Sequence, residues 1–169
     1  MNQYISKGVI DRLKLLINQS WKRITFKQAK KLLKKENCNQ DLSSQDENNL
    51  TEKLGCPVFV TNWPQEIKSF YMKQSDDGTC QSFDLLIPSI GELIGGSQRE
   101  ESYDKLLSKM EQLKIKREPL EFYLDLRKYG TVEHGGFGLG MDRLLMLLTG
   151  MKSIKDVIPF PVYYKNCSY

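Results

Sequence analysis

The sequence predicts an α+β fold in which an antiparallel sheet is flanked by helices. Candidate strands follow one another closely between residues 56 and 97, with a hairpin turn signal, DDG, at 76–78. Helical patterns occupy most of the chain from there to residue 150, with one glycine-rich strand among them. The regular alternation of strand and helix that marks a doubly wound parallel sheet does not occur in this order of elements.

Two segments are predicted from the change in character along the chain. Residues 1–55 are helical, basic and polar, like an insertion, and residues 56–169 form the second segment. Within the first, residues 9–19 place apolar side chains at helical spacing. Thr25 with Gln28 forms a capping-box pattern, which predicts the start of a second helix.

The second helix carries a predicted basic face. For this feature alone we favour a solvated surface over a nucleic-acid contact, because lysines usually decorate solvated faces. The polar stretch 36–49 lacks periodicity and is predicted to be a surface loop. The lysines of the basic face are Lys30, Lys31, Lys34 and Lys35.

Further along the chain, short strand-like stretches and amphipathic helical stretches are predicted. The strand candidates are 56–61, 69–73, 81–87, 91–97 and the glycine-rich 135–140. The helix candidates are 100–116, a segment from Pro119 to about Tyr129 that Gly130 ends, and 141–149, with Gly150 as its C′ residue.

The composition limits the classes of function. A chain of 169 residues with a net charge of +4 is the size of one domain and is only mildly basic. Its four cysteines form no CxxC pair and it has one histidine, so neither a zinc site nor a disulfide framework is expected. No apolar run approaches the roughly 18–20 residues that a membrane span needs, and we expect no membrane partner.

The glycine-rich stretch EHGGFGLGMDRLLMLLTG (133–150) has two interpretations. A nucleotide could lie on the glycines, with Arg143 contacting its phosphates. Alternatively, the glycines only allow close packing of strand and helix, which is favoured for such a stretch alone. The chain contains no GxxxxGK[ST] motif, and GGFGLG is not the GxGxxG of a dinucleotide fold.

A second group of polar residues lies upstream, on two neighbouring strands. Asp84 and Glu92 are each flanked by apolar residues, and a carboxylate there is costly to bury unless it is paired or binds a metal. Two such oxygen donors suit Mg²⁺, with water and phosphate as further ligands. Gly95 and Gly96 would leave room for a ligand, and Arg99 offers a planar fork for a carboxylate or amide oxygen. The alternative is an exposed strand end with a surface salt bridge.

Within the last helix, Arg143 is the best candidate for a ligand contact. Its neighbour Asp142 is expected to be structural. His134 is the only histidine in the chain, and we favour a structural role over general-base chemistry.

In order, four stretches resemble the second half of the catalytic domain of asparaginyl-tRNA synthetases. These are class II enzymes of the aspartyl, asparaginyl and lysyl group. The resemblance covers about residues 56–161, and an ordered series of motifs is far more specific than any one of them. The stretches are PVFVTNWPQEIKSFYMK, FDLLIPSIGELIGGSQREESYD, FYLDLRKYGTVEHGGFGLGMDRLL and IKDVIPFP.

The resemblance implies a six- or seven-stranded antiparallel catalytic sheet and a two-step reaction. Asparagine is activated by ATP to asparaginyl-adenylate, and the asparaginyl group then passes to tRNA-Asn. Carried onto this sequence, the resemblance implies that Glu92 would bind Mg²⁺ and ATP with Asp84 nearby, and that Arg99 would hold the asparagine side chain. The family's third motif corresponds to Gly140, Met141, Asp142 and Arg143, which contact ATP, and the full-length enzymes are homodimers.

Several features depart from the family pattern. The first and second class II motifs and the anticodon-binding barrel are not found. Glu133 stands where the family often has proline, Val162 where it usually has arginine, and MDR resembles the aspartyl LDR more than the asparaginyl FER. Because the missing second motif supplies an α-phosphate arginine, and losing one such contact typically costs about 10²–10³ in rate, we expect the chain alone to be inactive.

Three interpretations therefore stay open at this point. The chain is a C-terminal fragment of an asparaginyl-tRNA synthetase, a short non-catalytic paralogue that binds a nucleotide or amino acid, or a fragment of an aspartyl-tRNA synthetase. GELIGGSQRE and IKDVIPFP favour the asparaginyl branch. The sequence leaves the compartment undecided between the cytoplasm and an organelle such as the mitochondrion.

Overall fold

The computed structural model describes residues 8–35 and 40–167, and all structural statements concern these ranges. Cys38, one of the four cysteines, lies outside these ranges. The helices are α1 (Val9–Asn18), α2 (Phe26–Leu32), α3 (Ser44–Leu54), α4 (Tyr103–Gln112), α5 (Glu121–Lys128) and α6 (Met141–Thr149). The strands are β1 (Lys22–Thr25), β2 (Val58–Pro64), β3 (Thr79–Ile87), β4 (Gly91–Gln98) and β5 (Gly135–Leu139). Two short 3₁₀ turns lie at Glu118–Leu120 and Ile154–Asp156.

The five strands form one sheet in the order β1-β2-β3-β4-β5. The pairs from β2 to β5 are antiparallel, which confirms the predicted α+β class. The edge strand β1 instead runs parallel to β2, with Lys22 opposite Val58. Between β1 and β2 the chain passes through α2 and α3, which form the long connection that a parallel pair requires. Residues before position 56 thus contribute an edge strand to the sheet, and the division at residue 56 stays a prediction.

Most predicted elements occur close to their predicted bounds, but the strand at 69–73 is wrong. In that segment the structure has turns and one isolated bridge, between Met72 and Arg99. The DDG turn is confirmed. Gly78 has a φ of +81° and its amide donates to Ser75, a conformation that favours glycine.

Of the polar stretch 36–49, residues 36–39 lie outside the described ranges, and residues 40–49 are, contrary to the prediction, not wholly a loop. Helix α3 begins at Ser44, and a capping box joins Ser43 and Asp46 at its start. The Asp46 carboxylate also forms an ion pair with Lys35, with 2.7 Å between Asp46 Oδ1 and Lys35 Nζ. The capping residues, rather than apolar periodicity, explain why so polar a segment starts a helix.

The predicted basic face of α2 is only partly correct. Lys30 is buried, and its ammonium group lies 5.2 Å from the centre of the Phe26 ring. Lys35 is paired with Asp46. Lys31, Lys34 and the paired Lys35 are all exposed, so three of the four lysines lie on a solvated surface.

Apolar side chains pack on both faces of the sheet. On one face Val58, Val60 and Leu86 contact residues of α2 and α3, including Ala29 and Leu50. The other face is covered by α1 and α6. Its cluster consists of Leu16, Leu85, Ile87, Leu93 and Leu147.

A third cluster joins α4 to α5 through Leu106, Met110 and Leu124. Helix α3 packs against β4 on one face of the sheet, and Leu147 of α6 clusters with Leu93 of β4 on the other. Among the described residues, none of the helices has the length and apolar character needed to cross a membrane.

Candidate active site

Two carboxylates predicted to act together, Asp84 and Glu92, are brought together by the pairing of β3 with β4. Asp84 lies opposite Gly95, and a register shift between Leu85 and Leu86 brings Glu92 opposite Leu86. A β-carbon on Gly95 would lie 2.6 Å from Glu92 Oε1 and 3.3 Å from Asp84 Oδ1. The two oxygens therefore converge over the bare backbone of Gly95, where no other side chain fits.

The neighbouring glycine has a different reason. A β-carbon on Gly96 would lie 2.7 Å from the Phe83 ring and 2.9 Å from Phe137 Cβ. Gly96 therefore makes room for aromatic packing on the opposite face of the sheet, and the expectation that it opens space for a ligand is wrong. Gly95 alone serves the carboxylates.

Asp84 is buried and paired with a lysine that the sequence analysis did not identify. Lys68 Nζ lies 2.7 Å from Asp84 Oδ2, and both side chains are nearly inaccessible. The ammonium group also lies 3.8 Å from the centre of the Trp63 ring. Burial raises the pKa of the Asp84 carboxyl above its usual value, and Lys68 opposes that rise. The alternative of an exposed strand end with a surface ion pair is therefore wrong.

Lys68→Met leaves the Asp84 carboxylate buried without its partner. We expect a loss of about 3–5 kcal/mol in the free energy of unfolding, the usual cost of breaking a buried pair. Because burial raises the pKa of Asp84, the folded state binds this proton more tightly than the unfolded state. The group's contribution to stability thus falls as pH rises above its usual pKa, and the variant's loss is larger at neutral than at acidic pH.

Denaturant unfolding at both pH values measures this effect. The double variant Lys68→Met, Asp84→Asn removes both charges and recovers most of the stability at neutral pH. An equal loss in the single variant at both pH values would contradict the buried-pair explanation.

A third carboxylate, from α3, contacts the backbone of Glu92 rather than the point over Gly95. Glu47 Oε2 accepts a hydrogen bond from the backbone N–H of Glu92 at 3.1 Å. Burial raises the pKa of the Glu47 carboxyl, the Glu92 amide lowers it, the Glu92 charge raises it and the Arg143 charge lowers it. Glu47 was not predicted as a site residue, because the polar stretch that contains it was predicted to be a loop. The capping pattern at Ser43 and Asp46 is the signal that could have revealed the helix.

Arg143 lies in the first turn of α6 and, like Glu47, contacts the backbone of Glu92. Its Nη1 donates to the backbone carbonyl of Glu92. The strand and helix are joined just before it, where the Gly140 amide donates to Leu93 O at 3.0 Å. A β-carbon on Gly140 would lie 3.6 Å from Arg143 Cβ, an ordinary contact distance, so packing does not require a glycine at this position. Met141 is exposed and Asp142 half-buried beside it.

Arg99 is held at the junction of β4 and β5. Its guanidinium lies 4.6 Å from the centre of the Tyr71 ring and donates to Ser97 Oγ at 3.0 Å and to Gly136 O at 3.4 Å. Ser97 stands two residues from Gly95 along β4, so both are on the same face of the strand. The structure therefore places the Arg99 guanidinium on the face that carries the carboxylates.

His134 has both ring nitrogens engaged within the protein. Nδ1 lies 2.8 Å from Val132 O, and Nε2 lies 3.3 Å from Nη2 of the buried Arg127. A carbonyl acceptor on one side and a guanidinium donor on the other fit the tautomer protonated at Nδ1. This environment agrees with the structural role that was favoured for His134.

The two carboxylate oxygens suit an open magnesium site rather than a site in which the protein supplies every metal ligand. Asp84 Oδ1 and Glu92 Oε1 lie within reach of one point, and Asp84 Oδ2 is already bound by Lys68. Within residues 8–35 and 40–167, the structure has no cluster of three or more histidine, cysteine or acidic side chains suited to a metal. Mg²⁺ typically binds one or two carboxylates and completes its shell with water and phosphate oxygens, so two donors suffice.

Comparison with known proteins decides the family. The model described as "tRNA synthetases class II (D, K and N)" matches residues 1–163. The chain belongs to this class II family. The resemblance seen in the sequence is thereby confirmed, and the family match extends upstream of residue 56.

Relatives within the class II family agree with the asparaginyl branch. The asparagine–tRNA ligase of Clostridium botulinum is 48% identical over 170 residues, covering 95% of this chain and 37% of the relative. The Entamoeba histolytica asparaginyl-tRNA synthetase in complex with asparaginyl-adenylate has a TM-score of 0.81 and 32% identity, covering 95% of this chain and 40% of that one. The Pyrococcus horikoshii enzyme, also complexed with asparaginyl-adenylate, has a TM-score of 0.77 and 33% identity, covering 92% and 41%. The chain thus spans about two fifths of the length of these class II relatives.

Proposed function

We propose that the chain forms the C-terminal part of the catalytic site of an asparagine–tRNA ligase. Such an enzyme activates asparagine with ATP and transfers it to tRNA-Asn. The convergence of Asp84 Oδ1 and Glu92 Oε1 over Gly95, beside Arg143, is the observation that carries this proposal. The names of the relatives, at up to 48% identity, supply the amino acid and the tRNA.

Both steps of the reaction balance without an enzyme nucleophile. An oxygen of the asparagine α-carboxylate attacks the α-phosphorus of ATP, the bond to the bridging oxygen breaks, and pyrophosphate leaves. A terminal ribose hydroxyl of the tRNA then attacks the carbonyl carbon of the adenylate, the bond from that carbon to the phosphate oxygen breaks, AMP leaves, and the hydroxyl proton passes to solvent. The main requirements on the protein are positioning and neutralisation of phosphate charge.

ATP bound with Mg²⁺ is the proposed ligand of Asp84, Glu92 and Arg143. Asp84 and Glu92 would hold Mg²⁺, which when bound supplies positive charge to the phosphates. Arg143 would contact the phosphates from the first turn of α6. The exposed Gly140 and Met141, with Asp142, form the surface on which ATP would lie.

Arg99 is the proposed contact for the asparagine side chain. Hydrogen bonds to Ser97 and Gly136 engage two of its five N–H groups and fix its orientation. The remaining donors can bind the carboxamide oxygen of asparagine. Because this contact is made by donors alone, Arg99 does not by itself distinguish asparagine from aspartate.

Pyrophosphate exchange by the full-length protein, with asparagine or aspartate as substrate, tests the proposed function. We expect exchange with asparagine and little with aspartate. Arg99→Lys keeps the charge but loses the planar fork, so we expect the KM for asparagine to rise more than the KM for ATP. Exchange supported by aspartate alone would contradict the asparaginyl assignment and favour the aspartyl alternative. A homodimeric state of the full-length enzyme remains part of the proposal.

A further inference from the structure

Both backbone groups of Glu92 are held by charged side chains from two different helices. Glu47 on α3 accepts its N–H at 3.1 Å, and Arg143 on α6 donates to its carbonyl. Glu47 and Arg143 are 45 and 51 residues away from Glu92 in the sequence. The two contacts therefore join distant parts of the chain to the backbone on either side of the Glu92 α-carbon. Held at both ends, the Glu92 backbone fixes the direction in which its side chain leaves β4.

The turn before Glu92 is built around the Glu47 carboxylate. Gly91 has a φ of +79°, and a β-carbon there would lie only 2.7 Å from Glu47 Oε2. The chain reaches this point through Ser89, which has a φ of +66°, and through a hydrogen bond from the Ile90 amide to Ile87 O at 3.1 Å. The absence of a side chain at Gly91 thus lets the carboxylate reach the next amide.

We propose that Glu47 is a positioning residue for the Glu92 carboxylate. By fixing the Glu92 amide, it holds Glu92 Oε1 over Gly95 next to Asp84 Oδ1, where the proposed function places a magnesium ion. This inference rests on that proposed function. Side chains that orient a metal ligand in this way typically contribute about 10–100-fold to metal affinity.

The packing of α3 does not depend on the Glu47 carboxylate. Leu50 and Thr51 of this helix are fully buried, and Thr51 Oγ1 donates to the backbone carbonyl of Glu47 at 3.0 Å. The helix start is fixed separately, by the capping box of Ser43 and Asp46. A change confined to the Glu47 carboxylate is therefore expected to alter Glu92 while leaving the helix in place.

Binding of Mn²⁺ alone, followed by electron paramagnetic resonance on the full-length protein, tests this role. We expect Glu47→Ala to weaken Mn²⁺ binding roughly 10–100-fold. Glu47→Gln should bind Mn²⁺ about as tightly as the wild type, because its amide oxygen still accepts the Glu92 N–H. Glu47→Asp keeps the charge but is one methylene shorter, and should lose affinity as the alanine variant does. Glu52→Ala, an exposed acid on the same helix, is the matched control and should leave binding unchanged.

The outcomes separate this inference from the proposed function. Unchanged Mn²⁺ binding in Glu47→Ala, together with lost binding in Glu92→Gln and Asp84→Asn, overturns the role of Glu47 and leaves the proposed site standing. Loss of binding in Glu47→Gln as large as in Glu47→Ala makes Glu47 a direct ligand and also overturns the positioning role. Unchanged binding in Glu92→Gln and Asp84→Asn refutes the magnesium site itself. If Glu47→Ala fails to fold, the comparison of Glu47→Gln with Glu47→Asp decides the question.

Discussion

Glu92→Gln is expected to lower pyrophosphate exchange by the full-length protein about 10²–10³-fold, the typical cost of removing one charged contact to a transition state. Glutamine has nearly the same shape, but its neutral amide is a poor ligand for Mg²⁺. Glu47 and Arg143 contact main-chain atoms of Glu92, which the variant keeps. The fold should therefore be preserved, and the loss should arise from the missing charge.

Glu111→Gln provides the control for this experiment. It removes an exposed carboxylate on α4, away from the carboxylates over Gly95, and should leave exchange unchanged. Thermal unfolding of both variants checks that the fold is intact. Near-normal exchange in a folded Glu92→Gln variant would refute the assigned role of Glu92.

Arg143→Ala is the second variant for which we expect a large effect, again about 10²–10³-fold in exchange rate. It removes the proposed phosphate contact and also the hydrogen bond to the Glu92 carbonyl. Arg143→Lys retains the charge but loses the fork, because an ammonium group cannot make the same pair of directed contacts. We therefore expect the lysine variant to fall between the wild type and the alanine variant.

Arg117→Ala is the matched control for the second experiment. Arg117 is an exposed arginine paired with Glu121, and such surface pairs contribute little. Exchange rates measured over a range of ATP concentrations separate kcat from the KM for ATP. Wild-type values of both in Arg143→Ala would remove Arg143 from the proposed site.

Local patterns were sufficient to predict most of the fold. Short strand-like stretches after the DDG turn signal predicted β3 and β4, and the capping box of Thr25 and Gln28 predicted the start of α2. The parallel pairing of β1 could not be predicted, because it is set by a long connection rather than by the four residues of the strand. Burial of Lys30 likewise depends on the tertiary position of Phe26 and its neighbours.

In the candidate site, too, local patterns predicted some residues, and others depend on tertiary contacts. Asp84 and Glu92 stood out because each is a carboxylate in an apolar strand, and the structure brings them together over Gly95. Lys68 and Glu47 carry no such signal. Lys68 lies in an irregular segment, and Glu47 lies in a polar stretch without periodicity, so their contacts arise from tertiary packing alone. Charged residues of this kind are expected to be missed whenever their partners are far away in sequence.

Asp84 and Glu92 are proposed to hold the metal that accompanies ATP. The most direct test is a crystal structure of the full-length protein with an ATP analogue and Mn²⁺, in which anomalous scattering locates the metal. We predict a single peak within bonding distance of Asp84 Oδ1 and Glu92 Oε1, with Arg143 against the phosphates. A metal bound to the nucleotide but away from both carboxylates would contradict the assignment of Asp84 and Glu92 as metal ligands.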